Sequence, residues 1–391
     1  MPLISVNSVA EPLWAEIDLG ALRKNFIAVK AHVTSAVNVM AVVKANAYGH
    51  GAVQVAQALS KEGAAAFGVA RIAEAIELRN GGITQPVLIF GPTPPHHAPL
   101  LAQHNLTQTV HSDEYADALG TVLKAAGVSP SVSVHLKIDT GMGRLGYLAT
   151  GNHGAVPLGK IYEGFKARPS LAVTGVYTHF AASDAEVPVT ARRQLEIFTQ
   201  ALSELPERAR EKLCIHAANS AGIMVLPDAH FDMVRAGIML YGLNPSEEMD
   251  KAGFDLEPVM SLRARLSSVK NVPAGFTVSY GHTHTTGTPT IIGAVPVGYA
   301  DGYPRLLSSK GEMLLHGRRA SVVGRVCMDQ TMIDVGHIQG VAEGDIVTII
   351  GRQGTEAVTA DEHARLTSTI NYEVTSRLLA RVPRFYVEDE R

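Results

Sequence analysis

The feature that most constrains the fold is a series of eight apolar, strand-like segments that alternate with helix-like segments over about 220 residues. The predicted strands are residues 37–44, 65–70, 87–91, 106–110, 132–139, 171–179, 213–216 and 231–235. The clearest predicted helices are residues 51–62, 72–80, 112–126 and 191–205. Eight such units predict an α/β fold, the (β/α)₈ TIM barrel, whose usual size is about 250 residues. An open, doubly wound sheet is the alternative.

The character of the sequence changes after about residue 257. Short runs rich in β-branched residues are separated there by Gly and Pro turns, at residues 262–269, 290–296, 312–316, 320–327, 332–335 and 346–350. This pattern predicts a mostly β second domain. We therefore expect the barrel over residues 12–256 and the β domain over residues 257–391, with the N-terminal residues 1–11 joined to the β domain.

Length and charge exclude several classes of protein. The chain has 391 residues, which is more than one hydrophobic core usually serves. Its 34 basic and 37 acidic residues give a net charge of -3, which is not the electrostatic pattern of a nucleic-acid-binding protein. Two cysteines, Cys214 and Cys327, are too few for a disulfide framework and fit a reducing compartment. Because no signal-like or membrane-length apolar segment occurs, we expect a cytoplasmic protein.

Lys44 is the residue that points most directly to chemistry. It ends the apolar run 39–43 and begins a turn rich in Gly and Asn. The carboxyl end of a parallel strand is where ligands bind, and a partly desolvated amine there has a lowered pKa and can form a Schiff base with a carbonyl. The alternative is a lysine at the rim that simply reaches water, and position alone favours this alternative.

Polar residues also alternate along two predicted strands. Every second residue from Ser131 to Asp139 is polar, which would place Lys137 in the lumen of a barrel. A buried lysine is costly without a partner, so we expect Lys137 to belong to a site or to carry a neutralising partner. The same alternation places His179 at the C-terminal end of the sixth strand. A solvated strand face and a structural histidine are the alternatives.

Two segments could bind a phosphate. Residues 217–222, in which Asn219 and Ser220 are placed as helix N-caps, follow the seventh strand, and residues 235–238 follow the eighth. Barrel enzymes often hold phosphate with the loops after these two strands. Ser220 is not expected to be a hydrolase nucleophile, because no Gly-x-Ser-x-Gly motif surrounds it.

Two other patterns suggest different chemistry. Residues 141–146 match Gly-x-Gly-x-x-Gly, with Glu163 about twenty residues further on, which is the dinucleotide-binding pattern. That pattern should open the first βαβ unit and run into a helix, whereas residues 149–157 contain Gly, Asn and Pro that would prevent one. A metal site is not expected either, because the histidine pairs at 96 and 97 and at 282 and 284 lack ligand spacing and nearby carboxylate or thiolate partners.

Ten motifs are spread in order over nearly the whole chain, at residues 41–51, 137–146, 178–181, 218–220, 234–238, 241–242, 278–281, 297–303, 324–330 and 370–373. Together they closely resemble the motifs of the alanine racemases, the barrel-type enzymes that use pyridoxal 5'-phosphate. The resemblance implies interconversion of L-alanine and D-alanine, which supplies D-alanine for cell-wall peptidoglycan. It also implies a homodimer whose active sites are shared between subunits.

The resemblance further implies the residues that bind the cofactor. Lys44 would hold it through a Schiff base and, once released by the substrate, act as the base on one face of the α-carbon. Tyr280 of the partner subunit would be the opposed base, because racemisation removes a proton from one face and returns it to the other. Arg235 would hydrogen-bond the pyridine nitrogen and keep it unprotonated. The phosphate ligands implied are Tyr48, Ser220, Gly237, Ile238 and Tyr372, and the cofactor shell also contains His179 and Asn219.

Substrate recognition is implied in the same way. Arg144 would bind the substrate carboxylate and Met328 would offer its backbone N–H. Lys137 matches a lysine that is often carbamylated in the family and positions that arginine. The channel to the site, narrowed by Tyr280 and Tyr372, would be lined by Asp184, Arg305, Arg325 and Ile370. His284 departs locally from the family, which more often has a tyrosine there.

Two other functions remain open at this point. A barrel-type amino-acid decarboxylase would share the strand-end lysine and the β domain, but it would be expected to place an acid where Arg235 stands, since a protonated pyridine is the stronger electron sink. A non-catalytic cofactor-binding protein would not need Tyr280. Both residues therefore favour racemisation.

Overall fold

A computed structural model of the chain describes residues 10–149 and 155–388. These residues form two compact units. The barrel unit contains Arg23–Ala47 and Ala52–Leu256. The β unit contains Tyr48–Gly51, the described residues from Glu257 onward and those that precede Arg23.

The first part of the described chain alternates strands and helices. Its strands are β1 (Leu13–Asp18), β2 (Asn38–Val42), β3 (Ala66–Val69), β4 (Val87–Ile89), β5 (Thr107–Val110), β6 (Val132–Asp139), β7 (Tyr147–Leu148), β8 (Leu171–Tyr177), β9 (Cys214–His216) and β10 (Met233–Ala236). Its helices are α1 (Leu19–His32), α2 (Ala52–Lys61), α3 (Ile72–Asn80), α4 (Ala98–Gln103), α5 (Asp113–Ala125), α6 (Leu158–Gly164), α7 (Val189–Ser203), α8 (Glu207–Arg210) and α9 (Ser220–Val225).

The second part is mostly β. Its strands are β11 (Met260–Arg265), β12 (Ser268–Val272), β13 (Thr277–Val278), β14 (His284–Thr285), β15 (Thr290–Val295), β16 (Glu312–Leu315), β17 (Arg318–Val322), β18 (Thr331–Asp334), β19 (Ile346–Gln353), β20 (Glu356–Val358) and β21 (Arg384–Val387). Two helices follow β20, α10 (Ala360–Thr367) and α11 (Asn371–Ser376). Short 3₁₀ turns occupy Pro95–His97, Phe165–Ala167, Pro227–Ala229, Ile238–Tyr241, Glu247–Ala252, Tyr280–His282, Tyr299–Asp301 and Arg305–Leu307.

Eight parallel strands form the sheet of the barrel unit, in the order β10, β2, β3, β4, β5, β6, β8, β9, with β7 beside β6. The two ends of this order also meet. The amide of Asp232 donates to the carbonyl of Ile215 at 3.1 Å, and the amide of Arg235 donates to the carbonyl of Ala218 at 3.0 Å. The sheet is therefore a nearly closed barrel, which confirms the predicted TIM fold and excludes the open doubly wound sheet.

The predicted barrel elements are confirmed, with ends that differ by two residues at most for the eight strands and four named helices. In α2, Val55, Ala56 and Leu59 recur at helical spacing and are fully buried. Burying a leucine or valine side chain contributes about 1.5–3 kcal/mol, so this apolar stripe is what holds the helix on the sheet. In α5 the N-cap Ser112 accepts a hydrogen bond from the amide of Tyr115 at 3.2 Å.

The sheet of the β unit has the order β12, β15, β18, β17, β16, β19, β11, β1, β21, with β20 beside β19 and a separate hairpin of β13 and β14. Its strands pair antiparallel, except that β1 and β21 are parallel. The predicted mostly β domain is confirmed. The predicted single run 262–269 consists of two strands, β11 and β12, which pair with β19 and β15 respectively.

The start of the described chain lies in a different unit from the one expected. The prediction assigned residues from 12 onward to the barrel, but β1 pairs with β11 and β21 in the sheet of the β unit. The amide of Asp18 also donates to the carbonyl of Val259 at 2.9 Å. The backbone groups of β11 and β21 are satisfied by this strand, which local sequence could not reveal. Most of the N-terminal segment 1–11 lies outside the described residues.

No helix in the described parts of the chain is long and apolar enough to cross a membrane.

Candidate active site

Lys44 lies at the carboxyl end of β2, where the sequence predicted it. After β2 ends at Val42, the amide of Val43 still donates to the carbonyl of Gly68 at 2.9 Å, so pairing with the neighbouring strand continues up to the residue before the lysine. The lysine itself is half-buried. Its side chain is therefore attached to a rigid strand end at the edge of the barrel where parallel-barrel enzymes carry their chemistry.

The pKa of Lys44 is lowered, first of all by burial. The positive charges of Arg144 and Arg235 lower this pKa further, whereas the carboxylate of Glu74 raises it. A lysine with a lowered pKa has a larger fraction of free amine near neutrality, and the free amine is the form that attacks a carbonyl or accepts a proton.

The turn that follows Lys44 is left-handed. Residues 45–48 all have φ of 53–54°, and residues 45–47 have ψ of 48–51°. This conformation costs L-residues roughly 1–2 kcal/mol each, so four in succession need compensating bonds. The Oδ1 atom of Asn46 accepts from the amide of Ala52 at 2.8 Å, and the Oε1 atom of Glu74 accepts from the amide of Ala45 at 2.7 Å. The sequence predicted a turn here but not its hand.

Arg235, in β10, has a fully buried guanidinium held by several acceptors. Its Nη1 donates to Nδ1 of His216 at 2.9 Å. Its Nη2 lies 2.9–3.2 Å from the carbonyls of Ala217 and Thr178 and from Nδ1 of His179. Its Nε donates to no described residue. Burial lowers the pKa of Arg235 to about 10, so the side chain is still a cation at neutral pH.

A second histidine extends this network, since Nε2 of His216 lies 2.9 Å from Nδ1 of His135. Because the guanidinium can only donate, Nδ1 of His216 must accept, and its proton must sit on Nε2 and point to His135. Burial and the charge of Arg235 lower the pKa of His216 well below its ordinary value and that of His135 to about 4. Both histidines are therefore neutral at neutral pH.

Positive charges converge on His179. Burial lowers its pKa well below the ordinary value, and Arg235, Arg144, Lys137 and Lys44 lower this pKa further. Lys137 and Arg235 are buried, Lys44 is half-buried and Arg144 is exposed. Cations that repel one another in such a partly buried place are stabilised by an anion. The carboxyl end of the barrel thus fits a ligand that carries phosphate or carboxylate groups.

Lys137 faces the lumen, as the alternation predicted. Its Nζ donates to the carbonyl of Ile138 at 2.8 Å and lies 5.5 Å from the ring centroid of Tyr177. Burial lowers the pKa of Lys137 to about 7 despite the opposing effect of Asp139. Within the described residues Lys137 forms no ion pair. The other half of the expectation, that Lys137 belongs to a site, stays a prediction.

Asp139 shapes the loop that carries Arg144. Its carboxylate accepts from the backbone amides of residues 141–144 at 2.8–3.2 Å. At Gly146 φ is +133°, and a Cβ would lie 2.7 Å from the amide nitrogen of Asp139. The glycines at 141–146 therefore serve a tight loop around a carboxylate, and β7 rather than a helix follows them. This geometry does not fit the dinucleotide-binding alternative.

The two segments predicted to bind phosphate lie next to each other at the carboxyl end of the barrel. Asn219 is the N-cap of α9, and its Oδ1 accepts from the amide of Gly222 at 2.9 Å. The amide of Gly237 donates to Oγ of Ser220 at 3.0 Å, so the loops after β9 and β10 are in direct contact. Ile238 begins the 3₁₀ turn that follows.

In the β unit, Tyr280 is 71% exposed and lines a pocket of about 570 Å³. The pocket is lined by Ser279, Tyr280, Gly281, His282, Cys327, Met328, Asp329, Gln330 and Met332. Ser279 has φ of 65° and ψ of -176°, a region that residues other than glycine rarely adopt. Its Oγ donates to the carbonyl of Arg325 at 2.6 Å, which holds this strained backbone in place.

Met328 lines the same pocket and is 53% exposed. The amides of Tyr299 and Ala300 donate to the carbonyls of Cys327 and Met328 at 3.1 and 3.0 Å. A Cβ at Gly298 would lie 2.2 Å from the carbonyl oxygen of Met328. A glycine at 298 is therefore what lets these two backbone segments approach.

Two tyrosines expected to bind phosphate are neighbours in the β unit. The ring centroids of Tyr48 and Tyr372 are 6.0 Å apart. Tyr48 is buried, which raises the pKa of its hydroxyl, so it is a neutral hydrogen-bond donor at neutral pH.

The predicted channel residues are distributed over both units. In the β unit Arg305, Arg325 and Ile370 are exposed, and Ile370 is the N-cap residue of α11. In the barrel unit Asp184 is half-buried, and its carbonyl accepts from Oγ of Ser246 at 2.8 Å. His284 pairs with Val278 in the β13–β14 hairpin.

The sequence did not predict the roles of four residues that organise the site, Glu74, Asp139, His135 and His216. Glu74 is the third residue of a predicted helix, a position at which a glutamate often caps the helix start, so its capping role could have been predicted from sequence. His135 lies on the predicted lumen face and His216 ends its strand, but their partners come from other strands.

Comparisons with known proteins agree with this architecture. Residues 17–245 match the family described as alanine racemase, N-terminal domain, and residues 259–386 match alanine racemase, C-terminal domain. The chain is similar to the alanine racemase of Desulfosudis oleivorans, with 48% identity over 376 residues that cover 95% of this chain and 96% of the relative. It is also similar to that of Carboxydothermus hydrogenoformans, with 48% identity, covering 96% of this chain and all (100%) of the relative.

Solved structures agree in the same way. The alanine racemase of Clostridium difficile has a TM-score of 0.91 and 37% sequence identity, and the match covers 98% of both chains. The alanine racemase of Bacillus anthracis with bound L-Ala-P has a TM-score of 0.90 and 36% identity, covering 98% of this chain and 97% of that chain.

Proposed function

Because the chain belongs to the alanine racemase family and is an enzyme that racemises alanine, we propose that it uses pyridoxal 5'-phosphate held on Lys44 and two opposed bases, Lys44 and Tyr280 of the partner subunit. The observation that carries this proposal is a group of cations at the carboxyl end of the barrel. Arg235 lies 3.2 Å from Nδ1 of His179, and the charges of Lys44, Lys137 and Arg144 also lower the pKa of that histidine. These cations fit a substrate that carries a carboxylate, and Lys44 and Arg235 supply the amine and the N–H donor for the aldehyde and the ring nitrogen of the cofactor.

The donor set of the barrel unit fits the cofactor in a second way. The Nη atoms of Arg235 are occupied by His216, His179 and two carbonyls, whereas its Nε donates to no described residue. That N–H can donate to a pyridine nitrogen. Because the pKa of Arg235 is about 10, the guanidinium keeps its proton and leaves the ring nitrogen unprotonated.

When bound, pyridoxal phosphate would withdraw electrons from the α-carbon of the substrate and make its proton more acidic. Once the substrate amine has taken its place on the cofactor, the free amine of Lys44 would accept or return that proton on one face, and its lowered pKa suits this role near neutrality.

Tyr280 of the partner subunit serves the opposite face. The exposure of Tyr280 in a single chain supports a homodimer. A tyrosine that transfers a proton must lie against the substrate, and one subunit leaves this side chain in solvent. Exposed apolar side chains of the β unit, Tyr299, Leu306, Met328 and Ile370, support an interface of this kind.

The phosphate would be bound by the hydroxyls of Tyr48, Ser220 and Tyr372 and by the backbone amides of Gly237 and Ile238. The loops that carry Ser220 and Gly237 are in direct contact, and the two tyrosine rings are neighbours, which supports these two groups of ligands. The amide of Gly237 donates to Oγ of Ser220 here, so it would have to turn from that oxygen to the phosphate. Asn219 holds the start of α9, and His179 lies beside Arg235 in the cofactor shell.

Arg144 would bind the substrate carboxylate with its planar fork, assisted by the backbone N–H of Met328. Asp184, Arg305, Arg325 and Ile370 would line the channel, narrowed by Tyr280 and Tyr372. Such a gate favours a small amino acid, which is the substrate class of the family.

Lys137 is proposed to be carbamylated. Its pKa of about 7 leaves much of the amine free at neutral pH, so its nitrogen can attack CO₂ and release a proton. The resulting anion would neutralise the surrounding cations and position Arg144. A carbamate signal in ¹³C NMR after addition of ¹³C-bicarbonate, absent in Lys137→Met, is the expected result.

The D-alanine formed would be used for cell-wall peptidoglycan. The enzyme would work in the cytoplasm. The balanced charge and the two unpaired cysteines, Cys214 and Cys327, support this compartment.

One experiment tests the reaction. The purified protein, loaded with pyridoxal phosphate, is incubated with L-alanine in D₂O, and NMR with a chiral shift reagent follows the α-carbon. We expect deuterium at the α-carbon of both enantiomers. Release of CO₂ would instead identify a decarboxylase, and unchanged alanine would identify a cofactor-binding protein without this activity.

A second experiment tests the attachment. Borohydride reduction followed by peptide mass spectrometry should place the cofactor on Lys44, and a label on another lysine would overturn that assignment. Lys44→Arg should carry no reduced cofactor.

A further inference from the structure

Glu74 connects two neighbouring strand ends of the barrel unit. It stands at the third position of α3, and its Oε2 accepts from the amides of Ala70 and Arg71 at 2.7 and 2.9 Å. These two bonds close the start of its own helix, as a capping glutamate does. Its Oε1 reaches a different loop, 29 residues earlier in the chain, and accepts from the amide of Ala45 at 2.7 Å.

The hydrogen bond from the amide of Ala45 to Glu74 replaces a backbone hydrogen bond that the paths of β2 and β3 do not form. The amide of Val43 donates to the carbonyl of Gly68 at 2.9 Å, in the last bond between the paths of β2 and β3. In a parallel pair the next bond would join the amide of Ala45 to the carbonyl of Ala70. That carbonyl instead accepts from the amide of Gly91 at 3.1 Å, and Glu74 receives the amide of Ala45.

The backbone of Lys44 is therefore held on both sides. The residue before it is paired to β3, and the residue after it donates to Glu74. Without the second bond, the left-handed turn 45–48 would keep the hydrogen bond from the amide of Ala47 to the carbonyl of Val43 at 2.9 Å but lose the side-chain acceptor next to the lysine. Three charged groups act on the pKa of the Lys44 amine. The carboxylate of Glu74 raises this pKa, whereas Arg144 and Arg235 lower it.

We propose that Glu74 is a positioning residue, which fixes the backbone of Lys44 and so the direction in which the amine reaches the cofactor and the substrate α-carbon. The inference rests on the function proposed above for Lys44. Neither close substitute reproduces the geometry. In Glu74→Gln the amide nitrogen cannot accept a hydrogen bond, and in Glu74→Asp the side chain is one methylene shorter.

Measurements on the enzyme without cofactor test the proposal apart from catalysis. Glu74→Gln and Glu74→Asp are compared with Glu77→Gln, the same substitution at an exposed position of the same helix. Hydrogen exchange reports on residues 45–48. Acylation of Lys44 by acetic anhydride, followed by peptide mass spectrometry across a pH series, reports the titration midpoint of its amine.

In Glu74→Gln we expect amide hydrogen exchange at residues 45–48 to be about tenfold faster, because the turn loses a hydrogen-bond acceptor. The titration midpoint of the Lys44 amine should fall by roughly half a pH unit or more, because a nearby negative charge is lost. In the loaded enzyme kcat should fall about tenfold or more while KM changes less than about twofold, because a misdirected base affects the chemical step. Glu74→Asp keeps the charge, so it should restore the midpoint but not kcat.

The proposal is overturned if exchange, midpoint and kcat of Glu74→Gln all match those of Glu77→Gln. If Glu74→Gln does not fold, the same measurements on Glu74→Asp decide, since wild-type exchange and kcat there would overturn the proposal. If borohydride finds no cofactor on Lys44 of the wild-type protein, the function proposed for Lys44 fails, whereas the exchange result still shows whether Glu74 holds the turn.

Discussion

Arg235 donates from Nη1 to Nδ1 of His216 across 2.9 Å, so a buried guanidinium is held by a neutral imidazole. The next contact in the network, from His216 to His135, is also between neutral rings. Among the described residues no carboxylate pairs with Arg235. Its charge therefore remains available to a ligand.

Replacing His216 by Phe should weaken cofactor binding more than folding. Phe keeps a ring that can stack on Tyr177, 4.7 Å away, but removes the acceptor of Nη1. A lost hydrogen bond to a charged group costs about 1.5–3 kcal/mol, so the Kd for pyridoxal phosphate should rise about tenfold or more. Absorbance titration gives the Kd and urea unfolding gives the stability. His135→Phe, which does not touch Arg235, should change the Kd less than about threefold. Equal effects of the two variants would contradict the prediction.

The pH dependence of stability should reveal His135. Its pKa is near 6.5 in an unfolded chain and is lowered to about 4 by burial in the folded protein. Above pH 6.5 it is neutral in both states. As the pH falls below 6.5 the unfolded chain takes up the proton first, so the free energy of unfolding decreases, by about 2 kcal/mol between pH 7 and pH 5. Urea unfolding at several pH values should show this loss reduced in His135→Gln and unchanged in His96→Gln, an exposed control.

Replacing Asp139 by Asn should impair substrate binding. The Oδ2 atom accepts from the amides of Gly143 and Arg144, and an amide nitrogen in its place would face these donors. The loop that carries Arg144 then loosens, and we expect KM for alanine to rise about tenfold while kcat falls less. Steady-state kinetics in both directions check this. Asp228→Asn, at an exposed position, serves as control, and a change confined to kcat would argue against the proposed role of the loop.

Replacing Gly298 by Ala should disturb Met328. The added Cβ would lie 2.2 Å from the carbonyl oxygen of Met328, and backbone atoms must shift to remove such a clash. Overpacking of this kind costs about 1–3 kcal/mol. Thermal unfolding and KM for alanine are the measurements, and both should worsen. Gly287→Ala is a matched control, because a Cβ at that position has nothing within 4 Å. Two variants with the same melting temperature would show that the contact is not tight.

Replacing Tyr280 by Phe tests the two-base mechanism. The variant loses one proton-transferring hydroxyl but keeps the ring, so racemisation should fall by about 10²–10⁴-fold. One enantiomer of alanine should still exchange its α-proton with D₂O through Lys44, and the other should not. NMR of each pure enantiomer measures this, with Tyr162→Phe, a half-buried tyrosine of α6, as control. Exchange of both enantiomers at the wild-type rate would remove Tyr280 from the mechanism.

Local sequence was sufficient for the barrel because each strand and helix carries its own pattern. The β-branched runs that end at Lys44 and Asp139 and the apolar stripe of α2 are read from adjacent residues, and the N-cap Asn219 from its neighbours. The barrel was expected to begin at residue 12, and the structure differs there because the partners of this segment are not its neighbours in sequence. The strand β1 is held by β11 and β21, which lie more than 200 residues away in the chain.

Sequence patterns alone predicted the type and order of the elements, the end of β2 as the place of Lys44 and, by resemblance, the family. The folded chain was needed for the hand of the turn after Lys44, the tautomers of His216 and His135, and the identity of the charged groups that act on Lys44. These properties depend on partners 29, 19 and 81 residues apart in the chain, at Glu74, His216 and His135. Hydrogen-bond geometry and desolvation act through space, so only the folded chain brings them about.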